Sequence, residues 1–240
     1  MATRFDHTIP LLPGLTYHIF NRGNAQDYIF YQERNYSYFL KKYFQYLEGF
    51  VNTYAYCLLR NHFHLLIELR PQEEMLPYLF KQKAGSENEF YKFVKNQEIE
   101  RGLALGLHSD HPVDISSLPP ETQFCSKTVS EQFRFFMLSY AKAINIQEQR
   151  KGSLFQKGFK RKIVPDLESK KNTLGYILLN PVRHHICEHP EEYPWSSYHT
   201  LMSGERSKMA YPEVISWFGN KTGLLSFLKE YRESRDMLNF

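Results

Sequence analysis

The stretch that decides the fold runs from residue 51 to residue 69 and reads VNTYAYCLLRNHFHLLIEL. It contains two short apolar runs, Val51–Leu59 and His62–Leu69, which are separated only by a polar pair of residues. Two such runs joined by a short polar turn are typical of an antiparallel hairpin. Because side chains alternate between the faces of a strand, the second run places His62 and His64 on one face.

The flanking segments extend this hairpin into a longer order of strands and helices. Leu15–Phe20 has the composition of a strand, and aromatic residues recur at helical spacing over residues 27–49. A capping-box pattern at Thr128–Glu131 predicts a helix over 129–149, and a short strand is predicted at 160–164. The order predicts an α+β fold, a ferredoxin-like split βαβ domain with an antiparallel sheet whose second face is free for a ligand.

The last third of the chain is predicted to be helical. Three helical patterns follow residue 168, and they cover residues 169–180, 212–218 and 224–237. The sequence therefore predicts a first domain over residues 1–168 and a helical C-terminal extension over residues 169–240. Residues 84–127, which include a loop containing Pro and Ser, are interpreted as an insertion in the first domain.

The composition is that of a globular protein. Hydrophobic residues make up 42% and charged residues 23%, while aromatic residues reach 16% and the net charge is +4. Cys57, Cys125 and Cys187 lie far apart without a CxxC pair, which argues against a disulfide framework and a zinc ribbon. We find neither a signal peptide nor an apolar run that could span a membrane, and we expect a cytoplasmic protein with no membrane partner.

Two imidazoles on one strand face form half of a metal site, although surface histidines at this spacing also occur without a function. The stretch YAYCLLRNHFHLLIEL resembles the His-hydrophobic-His strand of single-tyrosine HUH transposases, with Leu59 where Met is usual. The resemblance implies the HUH nuclease, transposase-like version of the predicted fold. It also implies that His62 and His64 hold a divalent cation, and Mg²⁺ or Mn²⁺ fits imidazole and oxygen ligands with open positions better than structural Zn²⁺.

Tyr140 lies on the apolar stripe of the predicted helix, where a tyrosine is by default a core residue. The segments SYAKAIN and RKGSLFQKGFKRK resemble the Tyr-x-x-x-x-Asn helix of the same family and the segment after it, and this implies that Tyr140 is the nucleophile. The family also takes a metal ligand from this helix, for which Asn145 is our candidate. An offset of five residues turns Asn145 about 140° away from Tyr140, so Gln147 and Glu148 remain alternatives.

The stretch RKGSLFQKGFKRK, residues 150–162, holds six basic residues, no acidic residue and two phenylalanines. Basic side chains interleaved with rings suit single-stranded nucleic acid, whereas an exposed basic loop with two core phenylalanines is the ordinary alternative. The predicted DNA-binding residues are Arg22, Arg150, Lys151, Phe155, Lys157, Lys160, Arg161, Lys162 and Arg183.

Residues 176–198, YILLNPVRHHICEHPEEYPWSSY, resemble a long segment of the REP-associated tyrosine transposases, the branch tied to short palindromic repeats. The resemblance covers residues 15–231, and the insertion is the main departure from it. It implies metal-dependent nicking and strand transfer of single-stranded DNA hairpins through a 5′-phosphotyrosine intermediate, by a monomer or a homodimer. A catalytically silent regulator that binds single-stranded nucleic acid with the same fold is the alternative.

Overall fold

The computed structural model describes residues 9–82, 117–204 and 208–236. The described strands are β1 (Thr16–Arg22), β2 (Val51–Leu59), β3 (His62–Leu69) and β4 (Lys160–Ile163). They form a four-stranded sheet in the order β2-β3-β1-β4, in which every neighbouring pair is antiparallel. This order is that of the split βαβ arrangement, so the predicted α+β fold with an antiparallel sheet is confirmed.

Helices occur in every segment in which the sequence pattern predicts one, and in further segments in which it does not. The longer helices are α1 (Glu33–Leu47), α2 (Gln72–Gln82), α3 (Pro120–Gln147) and α4 (Leu167–Leu178). Four shorter or later ones are α5 (Asn180–Arg183), α6 (Tyr198–Ser203), α7 (Tyr211–Ser216) and α8 (Lys221–Asp236). Within the described ranges, none of these helices is long and apolar enough to cross a membrane.

The main core lies between one face of the sheet and the helices α1 and α3. Phe63 of β3 points to this face, and its ring centroid is 5.0 Å from that of Phe39 on α1. Phe39 in turn contacts Phe136 of α3 at 4.8 Å, and all three rings are almost fully buried. Much of the high aromatic content of the chain therefore serves as core bulk.

Helix α3 begins earlier than the capping-box pattern predicts. It starts at Pro120, a residue type that is favoured in the first turn, and residues 121–127 contain no glycine or proline that would end it. Thr128 and Glu131 therefore lie inside the helix, and the hydroxyl of Ser130 donates to the carbonyl oxygen of Ser126 at 2.9 Å. Residues 120–127 of the predicted insertion thus belong to α3, and residues 84–116 lie outside the described residues.

The opposite face of the sheet is covered by α4, which contacts β2 and β3. The predicted boundary at residue 168 falls in the first turn of this helix, so the C-terminal extension packs directly on the first domain. A following segment protects the edge strand β2: Trp195 accepts a backbone hydrogen bond from Leu58, and Ser197 donates one to Tyr56, both at 2.9 Å. The sequence predicted that the whole second face is free, but α4 contacts β2 and β3 on that face.

Candidate active site

The covered side of the sheet carries the two strand histidines, and we call it the histidine face. Directly opposite residues of an antiparallel pair lie on one side, so His62 shares this face with Arg22, and His64 shares it with Phe20. The rings of His62 and His64 have centroids 5.2 Å apart. The predicted pairing of two imidazoles on one face is therefore present.

Both strand histidines and a third one, His18 of β1, are neutral near pH 7. Burial lowers the pKa of His64 well below its ordinary value of 6.5. Burial, followed by the charge of His184, lowers the pKa of His62 to about 4, and burial with the charge of Lys162 lowers that of His18 to about 3. A neutral imidazole keeps a nitrogen lone pair that can bind a cation.

Tyr176 of α4 packs against two of these imidazoles. Its ring centroid lies 5.3 Å from that of His64 and 5.7 Å from that of His18, and its side chain is half-buried. The guanidinium carbon of the exposed Arg183 stands 5.0 Å from the centre of the Tyr176 ring. A phenol, two imidazoles and a cationic side chain therefore converge on the histidine face.

Asn180 follows Tyr176 by four residues and is fully buried. The hydrogen bonds Leu179 N to Gly175 O and Arg183 N to Leu179 O, each 3.0 Å, continue the helical pattern across the junction of α4 and α5. An offset of four residues keeps Asn180 on the same helix side as Tyr176.

The amide of Asn180 lies near His62, whose pKa it acts to raise. Among the described residues, however, neither Nδ2 nor Oδ1 of Asn180 has a partner in hydrogen-bonding geometry. Leaving such a buried group unsatisfied costs about 1–3 kcal/mol. A buried amide beside the neutral imidazole of His62, without a hydrogen bond of good geometry, is suited to a ligand.

The structure does not bring Tyr140 to the histidines. Its side chain is fully buried, and its hydroxyl donates a hydrogen bond of 2.7 Å to the carbonyl oxygen of Ile29. Its ring contacts Phe39, which packs on Phe63, and Phe63 points away from the histidine face. The assignment of Tyr140 as nucleophile is therefore corrected: in this chain Tyr140 is a core residue on the other side of the sheet.

The predicted third metal ligand does not reach the histidines either. Asn145 uses its Nδ2 to donate to the carbonyl oxygen of Gly152 at 3.0 Å. The alternative Gln147 accepts a hydrogen bond of 3.0 Å from Asn35 of α1 and donates one of 2.6 Å to Glu148. All three residues thus serve contacts around α1, α3 and the following loop. Within the described ranges, no group of three or more His, Cys, Asp or Glu side chains could hold a metal ion.

The predicted DNA-binding residues separate into different locations. Four of them lie on the histidine face or next to it: Arg22, Lys160, Lys162 and Arg183. Lys151 and Lys157 are exposed in a groove beside α3, and Arg150, which lines the same groove, forms an ion pair of 2.8 Å with Asp27.

Two further members of the predicted set face the core side. Arg161 is half-buried with its guanidinium carbon 4.7 Å from the centre of the Phe159 ring. Phe155 is only 7% exposed and packs near Phe63 and Tyr140, so a role in stacking on bases is corrected to one in the core.

The fold and the site together define a class: an α+β protein whose antiparallel sheet presents paired strand histidines to a tyrosine and an asparagine on a neighbouring helix. A protein from Haemophilus influenzae, whose curated name is that of a REP-associated tyrosine transposase, is 34% identical over 76 residues. This match spans 32% of the chain and 40% of the relative's own length. The resemblance to REP-associated tyrosine transposases that the sequence motifs indicate is confirmed by this relative.

The chain was also compared with solved structures and with protein-family models. A solved structure of a REP-associated tyrosine transposase bound to a REP hairpin aligns with a TM-score of 0.49 at 13% identity, over 82% of this chain and 86% of the other. No protein-family model matches the chain.

Tyr176 and Asn180 are not among the site residues predicted from the sequence, although both belong to the segment of residues 176–198 that resembles the REP-associated tyrosine transposases. The signal was present in their spacing. A tyrosine and an asparagine four residues apart share one helix side, whereas the five-residue offset of Tyr140 and Asn145 does not place them together. What the sequence could not show is that α4 packs on the histidine face.

Proposed function

We propose that this chain cuts and rejoins single-stranded DNA through a covalent 5′-phosphotyrosine intermediate on Tyr176, with a divalent cation held by His62, His64 and Asn180. The observation that supports this most strongly is the position of Tyr176 against His64 and His18 on the histidine face. Tyr176 and Asn180 replace Tyr140 and Asn145 in the mechanism.

The residues present fit a divalent cation. Two neutral imidazoles and one amide oxygen form a set of three borderline and hard donors, which leaves coordination positions open for phosphate oxygens and suits Mg²⁺ or Mn²⁺ better than a closed structural Zn²⁺ site. The buried amide of Asn180 lies beside His62 and has no hydrogen bond of good geometry, and a cation would satisfy it. When bound, such a cation would polarise the scissile phosphate and offset the charge that develops in the transition state.

Tyr176 supplies the nucleophile. Its phenolic oxygen attacks the phosphorus atom, a new P–O bond forms, and the bond from phosphorus to the 3′ oxygen of the upstream strand breaks. One proton leaves the phenol and one is taken up by the departing 3′ oxygen. Because the phosphotyrosine ester keeps the energy of the broken bond, a 3′ hydroxyl can attack it in the reverse sense and rejoin a strand without ATP.

Basic side chains around the tyrosine would hold the DNA backbone. Arg183 stands beside the Tyr176 ring, and Arg22 lies opposite His62 on the histidine face. Such residues fix the position of a strand through phosphates without reading its sequence. Because the relative from Haemophilus influenzae is named for REP elements, we propose short palindromic hairpins as the substrate class.

One protomer supplies the whole set of side chains. Tyr176 and the imidazoles that it contacts belong to the same chain. We therefore propose that a monomer is sufficient for the first cleavage, and that an exchange of the tyrosine helix between two copies is not needed. The cytoplasmic location remains a prediction from the sequence.

Covalent trapping tests this function. The protein is incubated with Mn²⁺ and labelled single-stranded hairpins, and the products are separated under denaturing conditions. We expect a labelled adduct with the wild type and with Tyr140→Phe, which serves as a matched control, but not with Tyr176→Phe. An adduct that persisted in Tyr176→Phe would refute the assignment. Cleavage without any adduct would indicate a nuclease that uses water, and binding without cleavage would indicate the silent regulator.

A further inference from the structure

The two strand histidines are held through the same ring nitrogen. Nδ1 of His62 lies 2.7 Å from Oδ1 of Asn61, and Nδ1 of His64 lies 2.9 Å from Nε2 of His18. An amide oxygen can only accept a hydrogen bond, so Nδ1 of His62 carries the proton and its Nε2 keeps the lone pair. Asn61 therefore selects the tautomer of His62.

The bond between His64 and His18 can run in two directions, because either ring can donate. If His64 donates through Nδ1, its Nε2 keeps a lone pair, as in His62. If His18 donates instead, the proton of His64 sits on Nε2, and that nitrogen cannot bind a cation. Only when His64 is the donor do both His62 and His64 keep a lone pair on Nε2.

We propose that His18 is a positioning residue that accepts the Nδ1 proton of His64 and thereby fixes the Nε2 lone pair of His64 for cation binding. This inference deepens the proposed function and rests on its metal site. Partners that hold the second nitrogen of a ligating histidine orient the ring and set its tautomer.

The surroundings of His18 suit this role. His18 is 9% exposed and His64 is 6% exposed, so water does not compete freely for the bond between them. The ring of His18 is packed between Phe20 at 5.1 Å and Tyr176 at 5.7 Å, which restricts its rotation. Lys162 lies directly opposite His18 across β1 and β4 and disfavours a second proton on this imidazole.

The tautomer can be observed directly in the protein free of metal and DNA. Long-range ¹H–¹⁵N correlation spectra, assigned with single histidine variants, distinguish a protonated Nδ1 from a protonated Nε2 in each ring. We expect both His62 and His64 to carry the proton on Nδ1. A proton on Nε2 of His64 would overturn the proposal, whether or not the protein nicks DNA.

Two variants of His18 test the effect on the site. His18→Gln keeps an acceptor that can reach Nδ1 of His64, whereas His18→Phe keeps a ring but removes the acceptor. We expect His18→Phe to weaken Mn²⁺ binding, measured by titration calorimetry, by about 10–100-fold, and His18→Gln to restore most of this loss. Equal affinity in the wild type and both variants, or an equal loss in both, would contradict the role of the acceptor.

The two measurements separate this proposal from the proposed function. If the wild type bound no Mn²⁺, the proposed metal site would be refuted. The NMR spectrum would still show whether His18 accepts the Nδ1 proton of His64. If the wild type bound Mn²⁺ and formed the DNA adduct while His64 carried its proton on Nε2, only the role of His18 would be lost.

Discussion

Two tyrosines of this chain have opposite environments, and this contrast decides which one can react. The hydroxyl of Tyr140 is committed to the carbonyl oxygen of Ile29 at 2.7 Å, and burial raises the pKa of this phenol strongly. An attack by Tyr140 would require that this bond and the surrounding aromatic contacts be broken first. Tyr176 is half-buried beside two imidazoles and the guanidinium of the exposed Arg183.

Removal of the Tyr140 hydroxyl should affect stability and not chemistry. Tyr140→Phe leaves the buried carbonyl of Ile29 without its donor, and we expect the free energy of unfolding to fall by about 1–2 kcal/mol. Urea denaturation followed by fluorescence measures this change. The role of Tyr140 in the core would be contradicted by an unchanged free energy of unfolding.

The two asparagines provide a second matched comparison. Asn180→Ala removes the proposed amide ligand, so we expect Mn²⁺ affinity to fall by at least about tenfold, as for other changes around a metal site. Asn145→Ala removes only the hydrogen bond to Gly152 and should leave Mn²⁺ affinity unchanged. Calorimetric titration of both variants checks this, and a greater loss in Asn145→Ala would restore the original ligand assignment.

The histidines could be predicted from the sequence because strand alternation is a local rule. The nucleophilic tyrosine could not be assigned from a local pattern. Tyr140 and Tyr176 both lie on helices with buried apolar residues, and their roles depend on which face of the sheet each helix covers. Tertiary packing, which the pattern of a single segment does not contain, separates Tyr176 from Tyr140.

At the scale of elements, the position of Tyr176 depends on how α4 is held between the sheet and α8. Gly175 precedes Tyr176, and a Cβ atom at this position would stand 3.1 Å from the Phe227 ring and 3.2 Å from that of Tyr231. A glycine therefore allows the two helices to approach closely. The C-terminal helix α8 therefore helps to position α4.

A larger side chain at position 175 should push α8 away from α4. We expect Gly175→Val to lower the free energy of unfolding by about 1–3 kcal/mol, because the helix neighbours must shift to make room. Chemical denaturation measures this effect, and the yield of the DNA adduct should fall with it. An equally stable variant would show that α8 does not hold α4 in place.

Strands and most helices could be predicted because their hydrophobic periods are clear. The bounds of β2 and β3 agree with the sequence prediction, since the polar pair between them is unambiguous. The predicted start of α3 was wrong, because a capping-box pattern can also occur within a longer helix. The contact of residues 195–197 with the edge of β2 could not be predicted from periodicity, because it is made by backbone groups and by the hydroxyl of Ser197.

At the scale of the whole molecule, the modest net charge of +4 hides an uneven distribution. Arg22, Lys160, Lys162 and Arg183 lie at the histidine face, while Lys151 and Lys157 lie in the groove beside α3. The sequence predicted one basic surface from one basic stretch. Side chains alternate between the two faces along β4, and this divides the basic stretch. Arg161 points to the core side, whereas Lys160 and Lys162 point to the histidine face.

The buried neutral histidines should make stability depend on pH. The pKa of His18 is lowered from 6.5 to about 3, so the folded chain binds fewer protons than the unfolded chain between these values. Stability therefore falls as the pH drops through this window. For His18 alone, we expect a loss of about 1.5 kcal/mol between about pH 6.5 and about pH 5.

Urea unfolding in the presence of a chelator, at both pH values, measures this dependence. His18→Phe should show a smaller fall in the free energy of unfolding than the wild type, because it lacks one of the histidines whose pKa is lowered in the folded chain. The same fall in both proteins would show that His18 does not have a lowered pKa in the folded chain.

We propose that Tyr176, and not Tyr140, forms the covalent bond to DNA. The most direct test of this proposal is to digest the covalent adduct formed with a hairpin oligonucleotide and Mn²⁺, and to locate the modified residue by mass spectrometry. We predict a nucleotide attached to the peptide that contains Tyr176. A nucleotide attached to Tyr140, or to any residue outside the histidine face, would contradict the account.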